Sequence, residues 1–204
     1  MQKIIILIVI ISLFSCNAQE KSFEENVKEF HYKENLRFLD KNKSPLTAKA
    51  FKIFKELDFF PIDKKYQVIA KLDKTPNSPI FGMQTTTDRK PLYKKYGILT
   101  FTIDGIVCKL DIYQNKDIGR SLEYKDNLFL PFTDATSGTL SYGGGRYLDV
   151  LTTDEREDGT IIIDFNKTYN PYCAYNGRYS CPITPEKNHL EVAVKAGIMA
   201  YKKH

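Results

Sequence analysis

The stretch ILTFTIDGIVCKLDIY, residues 98–113, constrains the fold more than any other part of the chain. Two runs of alternating apolar and polar residues flank Asp104-Gly105, a dipeptide that accepts the positive φ angles of a two-residue turn. The pattern predicts an antiparallel hairpin, each arm presenting one face to a core. Cys108 alternates with Ile106 and Leu110 and fits there as a small buried hydrophobe. Further β-rich runs lie close by: KKYQVIAKL, with Tyr66, Val68 and Ala70 on one face, then PIFGMQTTT, NLFLPF, RYLDVLTT, TIIIDF and HLEVAV. In the last, Leu190, Val192 and Val194 recur at period two, which predicts a closing strand. Polar turns rather than helices separate these runs. The expected class is therefore mainly β (α+β), an antiparallel barrel or sandwich with one or two N-terminal helices. The 13 Tyr and 13 Phe, with no Trp, agree with half-exposed rings on strands.

The helices are expected before Pro61. Ser22 and Glu25 have capping-box spacing, and Phe23, Val27, Phe30 and Leu36 or Leu39 recur at helical intervals, predicting a helix from about Phe23 to Asp40. LTAKAFKIFKELDFF supports a second, short helix that Pro61 ends. With 204 residues, 42% hydrophobic and 27% charged, the chain can bury one full core and is short for two.

The N-terminal segment MQKIIILIVIISLFSC stands apart from that core. One lysine precedes an apolar run from Ile4 to Phe14, shorter than the about 20 residues a spanning helix needs and suited to a secretory signal. Its ending resembles the lipobox of bacterial lipoproteins, with Leu13, then small Ser15, then Cys16 as the residue to be acylated. An ordinary cleaved signal and an uncleaved anchor helix are the alternatives. The expected organisation is a signal peptide at 1–15, a tether at 16–21 and a single domain at 22–204. Acylation of Cys16 would fasten the protein to a bacterial membrane outside the cytoplasm, most simply the outer membrane, at about 0.8 kcal/mol per buried methylene. Removing residues 1–15 takes away only Lys3, so the formal charge falls from +5 to +4. Lysines and glutamates are interleaved with no basic block, and no nucleic-acid footprint is present.

Three stretches could carry chemistry. SYGGGRYL has a glycine run, but a strand follows it rather than a helix, so a phosphate cradle is not built; a bulge or tight turn at a sheet rim is the simpler use. Arg146, presented there, could clamp a carboxylate or pair with Asp134 or Asp164. In DFNKTYN a buried strand runs into Asp164, followed by Asn166 and Asn170. These oxygens could hold a hard cation, or could brace their own loop through bonds to backbone amides. In YNPYCAYNGRYSCP, Cys173 and Cys181 lack the spacing of a zinc ribbon. A disulfide closing this loop would contribute about 2.6 kcal/mol on a chain-entropy model. A metal site with His189 and Asp164, or a reactive thiol with His189 as base, are the other readings.

The runs FTDATSGTLSYGGGRYLDV, DFNKTYNPYCAYNGRYSCPITPEKNHL and VAVKAG resemble a bacterial family known as domain of unknown function 1684, over about residues 44–198. The matching positions are Asp134, Thr136, Ser137, Gly138, Tyr142, Arg146, Tyr147, Asp164, Asn166, Tyr169, Asn170, Cys173, Cys181, Pro182 and Asn188. His189 stands where the family usually has arginine, and Ile198 where it usually has glutamate. The resemblance implies no activity and no cofactor. It also implies relatives without export signals, in whose reducing cytosol the two thiols would be free or metal-bound.

The expected function is that of a non-catalytic envelope lipoprotein. A rim formed by the glycine-rich turn and the cysteine loop, with Asp134, Arg146, Asp164, Asn166 and Asn170, would bind a small polar ligand, an ion or an envelope component. No metal ligand set is assigned in this reading. The alternative is a hydrolase or metal-assisted enzyme using Asp164, His189 and a cysteine thiol. A purely structural partner of an envelope complex is a third reading.

Overall fold

A computed structural model describes residues 21–118, 121 and 124–202. The signal segment 1–15, Cys16 and the tether through residue 20 lie outside the described residues. Helix α1 (Phe23–Leu39) and the short helix α2 (Ala48–Ile53) precede the strands. These are β1 (Gln67–Lys74), β2 (Ile80–Gly82), β3 (Leu92–Ile103), β4 (Ile106–Asn115), β5 (Asn127–Asp134), β6 (Arg146–Leu151), β7 (Thr160–Asp164) and β8 (His189–Leu190). They form one sheet in the order β6-β5-β4-β3-β1-β7, with β2 on β3 and β8 on β5. All pairs are antiparallel except β5–β8. The sheet curls into a half-barrel. Its two ends approach each other, since Tyr147 of β6 exchanges both backbone hydrogen bonds, at 2.9 Å, with Tyr169 just beyond β7.

The β3–β4 hairpin forms as its sequence requires, with Asp104 at φ 49° and Gly105 at φ 79°. The inward faces of β1, β3, β4, β5, β6 and β7 fill the concave core with residues such as Val68, Ala70, Leu99, Leu110, Leu130, Ile161 and Ile163. Cys108 belongs to this core, and its thiol donates to the Ile106 carbonyl at 3.6 Å.

Two local expectations are corrected. Helix α1 starts at a complete Ser22–Glu25 capping box, but Leu36 and Leu39 are 47% and 48% exposed. Val27 and Phe38 are its buried residues, Phe23 and Phe30 are partly covered, and polar side chains share the face toward the protein. His31 Nε2 donates to the Asn166 carbonyl at 2.8 Å, and Asn35 Oδ1 accepts from the Leu57 amide at 2.7 Å. The helix stands where its sequence places it, but Leu36 and Leu39 lie off its seam, which hydrogen bonds help to make. The closing strand is likewise only two residues long. From Val192 to Ile198 the chain is largely buried but forms no continuous strand, and the side chains of Arg146 and Asp134 bond the backbone of Val194, Ala196 and Ile198.

A second apolar cluster, with Phe38, Leu46, Leu57, Tyr175 and Ile198, joins both helices to the cysteine loop and the C-terminal segment. Ile198, which stands where the resemblance expects glutamate, is one of its buried members.

Candidate functional site

Asp134 and Arg146 face each other inside the molecule, with the guanidinium Nη2 3.2 Å from Asp134 Oδ1. Arg146 is wholly buried and also donates to the carbonyls of Val194 (2.8 Å), Ala196 (2.5 Å) and Ile198 (3.4 Å). Asp134 Oδ2 accepts from the Val194 amide at 2.7 Å, and Thr136 and Ser137 hydroxyls donate to the same carboxylate. Burial pulls the Arg146 pKa down and the Asp134 charge pushes it back up. Neither group has a face left for a ligand. This pair is the clamp that holds the C-terminal segment in place of a ladder.

Asp164, Asn166 and Asn170 brace their own surroundings. Asp164 Oδ1 accepts from the Asn166 amide at 3.1 Å and from its side chain at 2.9 Å. The Asn166 side chain pairs with the Asp63 backbone in both directions at 3.0 Å. Asn170 donates to the Met199 carbonyl at 2.9 Å and to Tyr175. Asn188 does similar work, accepting from the Asp111 amide and donating to the carbonyls of Asp111 and Pro131. The expected rim residues therefore do not converge on one open site. Two lie in a buried pair and three brace loops, because a polar residue at a strand end meets distant backbone as readily as solvent.

The set of Asp164, His189 and a thiol is not assembled either. His189 lies on β8 beside β5, where its Nδ1 meets Thr133 Oγ1 at 3.0 Å. Asp164 ends β7. Among the described residues, no three His, Cys, Asp or Glu side chains gather to hold a metal ion.

The disulfide expected of Cys173 and Cys181 is not formed; both are free thiols. The loop is held without it. The segment after β2 zips onto residues 179–183 through Thr86 N–Cys181 O (2.9 Å), Cys181 N–Thr86 Oγ1 (3.1 Å), Ile183 N–Gln84 O (2.8 Å) and Arg89 Nη2–Ser180 O (3.0 Å). The glycine-rich turn does abut this loop. Thr184 Oγ1 donates to the Gly144 carbonyl at 3.1 Å, and Tyr142 Oη lies 4.0 Å from Cys173 Sγ.

An open hollow lies one wall further on. A cavity of about 400 Å3 lies between α1, the β5–β6 region and the cysteine loop. Its walls are strongly aromatic, with Phe30, Tyr93, Phe129, Tyr147, Tyr169 and Tyr172 among them, and its charges are Glu34, Arg37 and Asp149. Of the expected rim residues only Asn170 borders it. Tyr147 is fixed by donating to the Pro182 carbonyl, and its ring meets Phe129 edge to face with centroids 4.7 Å apart. Arg37 pairs with Glu34 and lies 5.3 Å from the centre of the Tyr172 ring. Asp149 accepts from the Tyr169 hydroxyl at 2.9 Å. Asp149 is exposed to solvent, yet the protein packed around it raises its carboxyl pKa against the opposing pull of Tyr169 and Arg37. Partial burial raises Glu34, with Arg37 opposing. A hollow of similar volume between α2 and residues 198–202 has the exposed side chains of Lys55, Glu56 and Lys202 in its walls and encloses no charge.

Sequence reasoning missed Asp149, Arg37 and Glu34. In RYLDVL, Asp149 reads as the ordinary outward residue of an alternating strand, and Glu34 and Arg37 as a solvated helix face. Tyr147 and Tyr169 were marked only through the family pattern.

The solution NMR structure of the uncharacterized protein from gene locus rrnAC0354 of Haloarcula marismortui is similar to this one. The TM-score is 0.69 and the identity 32%, over 89% of this chain and 96% of that chain. No curated protein matches the chain. The family model described as "Protein of unknown function (DUF1684)" matches residues 52–199, so that the half-barrel, the Arg146 clamp and the cysteine loop all fall within it. By that match and by the identity with the haloarchaeal protein, the chain belongs to the DUF1684 family.

Proposed function

We propose that this protein is a lipid-anchored envelope protein that binds a small organic cation with an apolar body in the cavity beneath its cysteine loop. The observation that carries the ligand class is Asp149, an exposed carboxylate on the wall of an aromatic cavity, which accepts a hydrogen bond from Tyr169. Glu34 is answered by Arg37, so Asp149 is the cavity's unneutralised charge. A cation restores its balance, and aromatic faces attract cations by about 0.5–2 kcal/mol per favourable contact. A cavity of about 400 Å3 suits a molecule of modest size. The anchor is supported by the lipobox-like LFSC ending and places the domain at a bacterial membrane through Cys16, on a tether of residues 16–21.

Calorimetric titration with choline, benzylamine, a neutral sugar and acetate tests the ligand class. Saturable binding of the two cations, lost in Asp149→Asn, is expected; binding of acetate or the sugar with no response to the cations refutes it. The anchor is tested separately by palmitate labelling and membrane fractionation of the full chain against Cys16→Ser. Incorporation of label into the Cys16→Ser variant contradicts it.

A further inference from the structure

Among the described residues, Cys173 and Cys181 are the thiols of the loop beside the cavity, and neither ligand binding nor the fold explains their arrangement. The Cys173 amide donates to Cys181 Sγ at 3.2 Å, which sets the Cys181 sulfur against the Cys173 residue. The pair is asymmetric. Cys173, on a single turn of 3-10 helix, is half-buried and reaches solvent, whereas Cys181 is 7% exposed. The Tyr142 hydroxyl approaches only Cys173. The loop around them is held by backbone bonds to the segment after β2, so the two sulfurs stay close without being covalently joined.

We propose that Cys173 and Cys181 form a redox-active dithiol that undergoes exchange with small disulfides, Cys173 being the sulfur attacked from solvent and Cys181 the resolving sulfur. The Cys173 thiolate attacks one sulfur of a disulfide RSSR, forming a Cys173–SR bond as RS⁻ leaves. Cys181 transfers its thiol proton to that RS⁻, giving RSH. Its sulfur then attacks Cys173 Sγ, forming the Cys173–Cys181 bond and expelling a second RS⁻. Two electrons pass from the protein to RSSR, and the products are RSH, RS⁻ and the protein disulfide. Closure brings the two sulfurs to about 2.05 Å. The electrostatics agree with the order of attack. Hydrogen bonding from Cys181, helped by Tyr142 and Thr86, pulls the Cys173 thiol down to about 6, while the same contact and burial push Cys181 up. A thiolate is the attacking species in such exchange.

The test is to treat the reduced full chain with oxidised glutathione, quench with acid and locate adducts by peptide mass mapping. Wild type is expected to lose two hydrogens at the Cys173–Cys181 pair and to retain no adduct there. Cys181→Ser is expected to accumulate one glutathione adduct on Cys173, and Cys173→Ser to leave Cys181 unmodified over the same interval. A stable adduct on the wild-type pair, or modification of Cys181 in Cys173→Ser at the wild-type rate, overturns the proposal. Should a variant not fold, alkylation of wild-type Cys173 against pH decides. A midpoint near about 6 supports it, and one at the about 8.5 of an ordinary thiol overturns it. The dithiol does not depend on the cation site, and choline binding is expected to survive in Cys173→Ser.

Discussion

The Arg146 guanidinium meets the Asp134 carboxylate at 3.2 Å with both side chains fully withdrawn from water, and together they bind the backbone of residues 194–198. An ion pair that also satisfies main-chain groups differs from an isolated buried bridge. Removing one member leaves an uncompensated charge, and removing Arg146 also strips donors from three buried carbonyls. Either Arg146→Met or Asp134→Asn is expected to cost about 3–5 kcal/mol in denaturant unfolding. Arg146→Lys is not expected to rescue, because an ammonium cannot present the same fork. A loss below about 1 kcal/mol for Arg146→Met would show that the clamp is dispensable.

Gly197 lies inside that clamped segment at φ 71°, and its carbonyl accepts from the Phe60 amide at 2.8 Å. A Cβ there would stand 2.0 Å from Thr168 Oγ1 and 2.6 Å from the Phe165 carbonyl. Backbone strain alone costs about 1–2 kcal/mol, and the clash adds to it, so Gly197→Ala is expected to destabilise by at least about 2 kcal/mol. Thermal unfolding measures this; an unchanged melting temperature contradicts it.

His31 links α1 to the sheet. Its ring stacks on Phe59 with centroids 3.7 Å apart, Phe30 stands edge-on, and its Nε2–H donates to the Asn166 carbonyl. Burial lowers its pKa, against opposing effects of the Asn166 bond and the Asp164 charge. The unfolded state therefore takes up the proton first, at the ordinary value of about 6.5, and stability is lost as pH falls below that value. Amide exchange in α1 is expected to quicken between about pH 7 and pH 5, and this pH dependence should diminish in His31→Phe. Equal acid sensitivity in the variant rules the imidazole out as its source.

Cation binding should carry its own pH signature. Asp149 must be ionised to hold a cation, and the protein packed around it raises its pKa. Affinity is expected to decline on acidification already above the about 3.9 of an ordinary aspartate. Titration of choline binding over a pH series checks this. A midpoint at or below the ordinary value would mean that Asp149 is not the group engaged.

Much of the fold was legible from local patterns. The Asp104-Gly105 turn, the Ser22–Glu25 capping box and the inward face of β1 each depend on neighbours in sequence and formed as their residues predict, while on β4 Cys108 and Leu110 turn inward and Ile106 does not. The site was not legible, since a side chain's partner can lie anywhere. Asp164 and Asn166 looked like ligands at a strand end and prove to bond the Asp63 loop and one another. Asp149 looked like a solvated strand residue and borders the aromatic cavity.

The sequence by itself determined a β-rich domain with N-terminal helices, its principal hairpin and its family pattern, because propensity, alternation and turn chemistry act over a few residues. Tertiary structure decided what the polar residues are for. It withdrew Arg146 and Asp134 into a clamp, left Cys173 and Cys181 adjacent as thiols, and set Asp149 at the wall of an aromatic cavity. Those outcomes depend on which distant backbone, ring or charge the curled sheet brings alongside, a relation that no local spacing encodes.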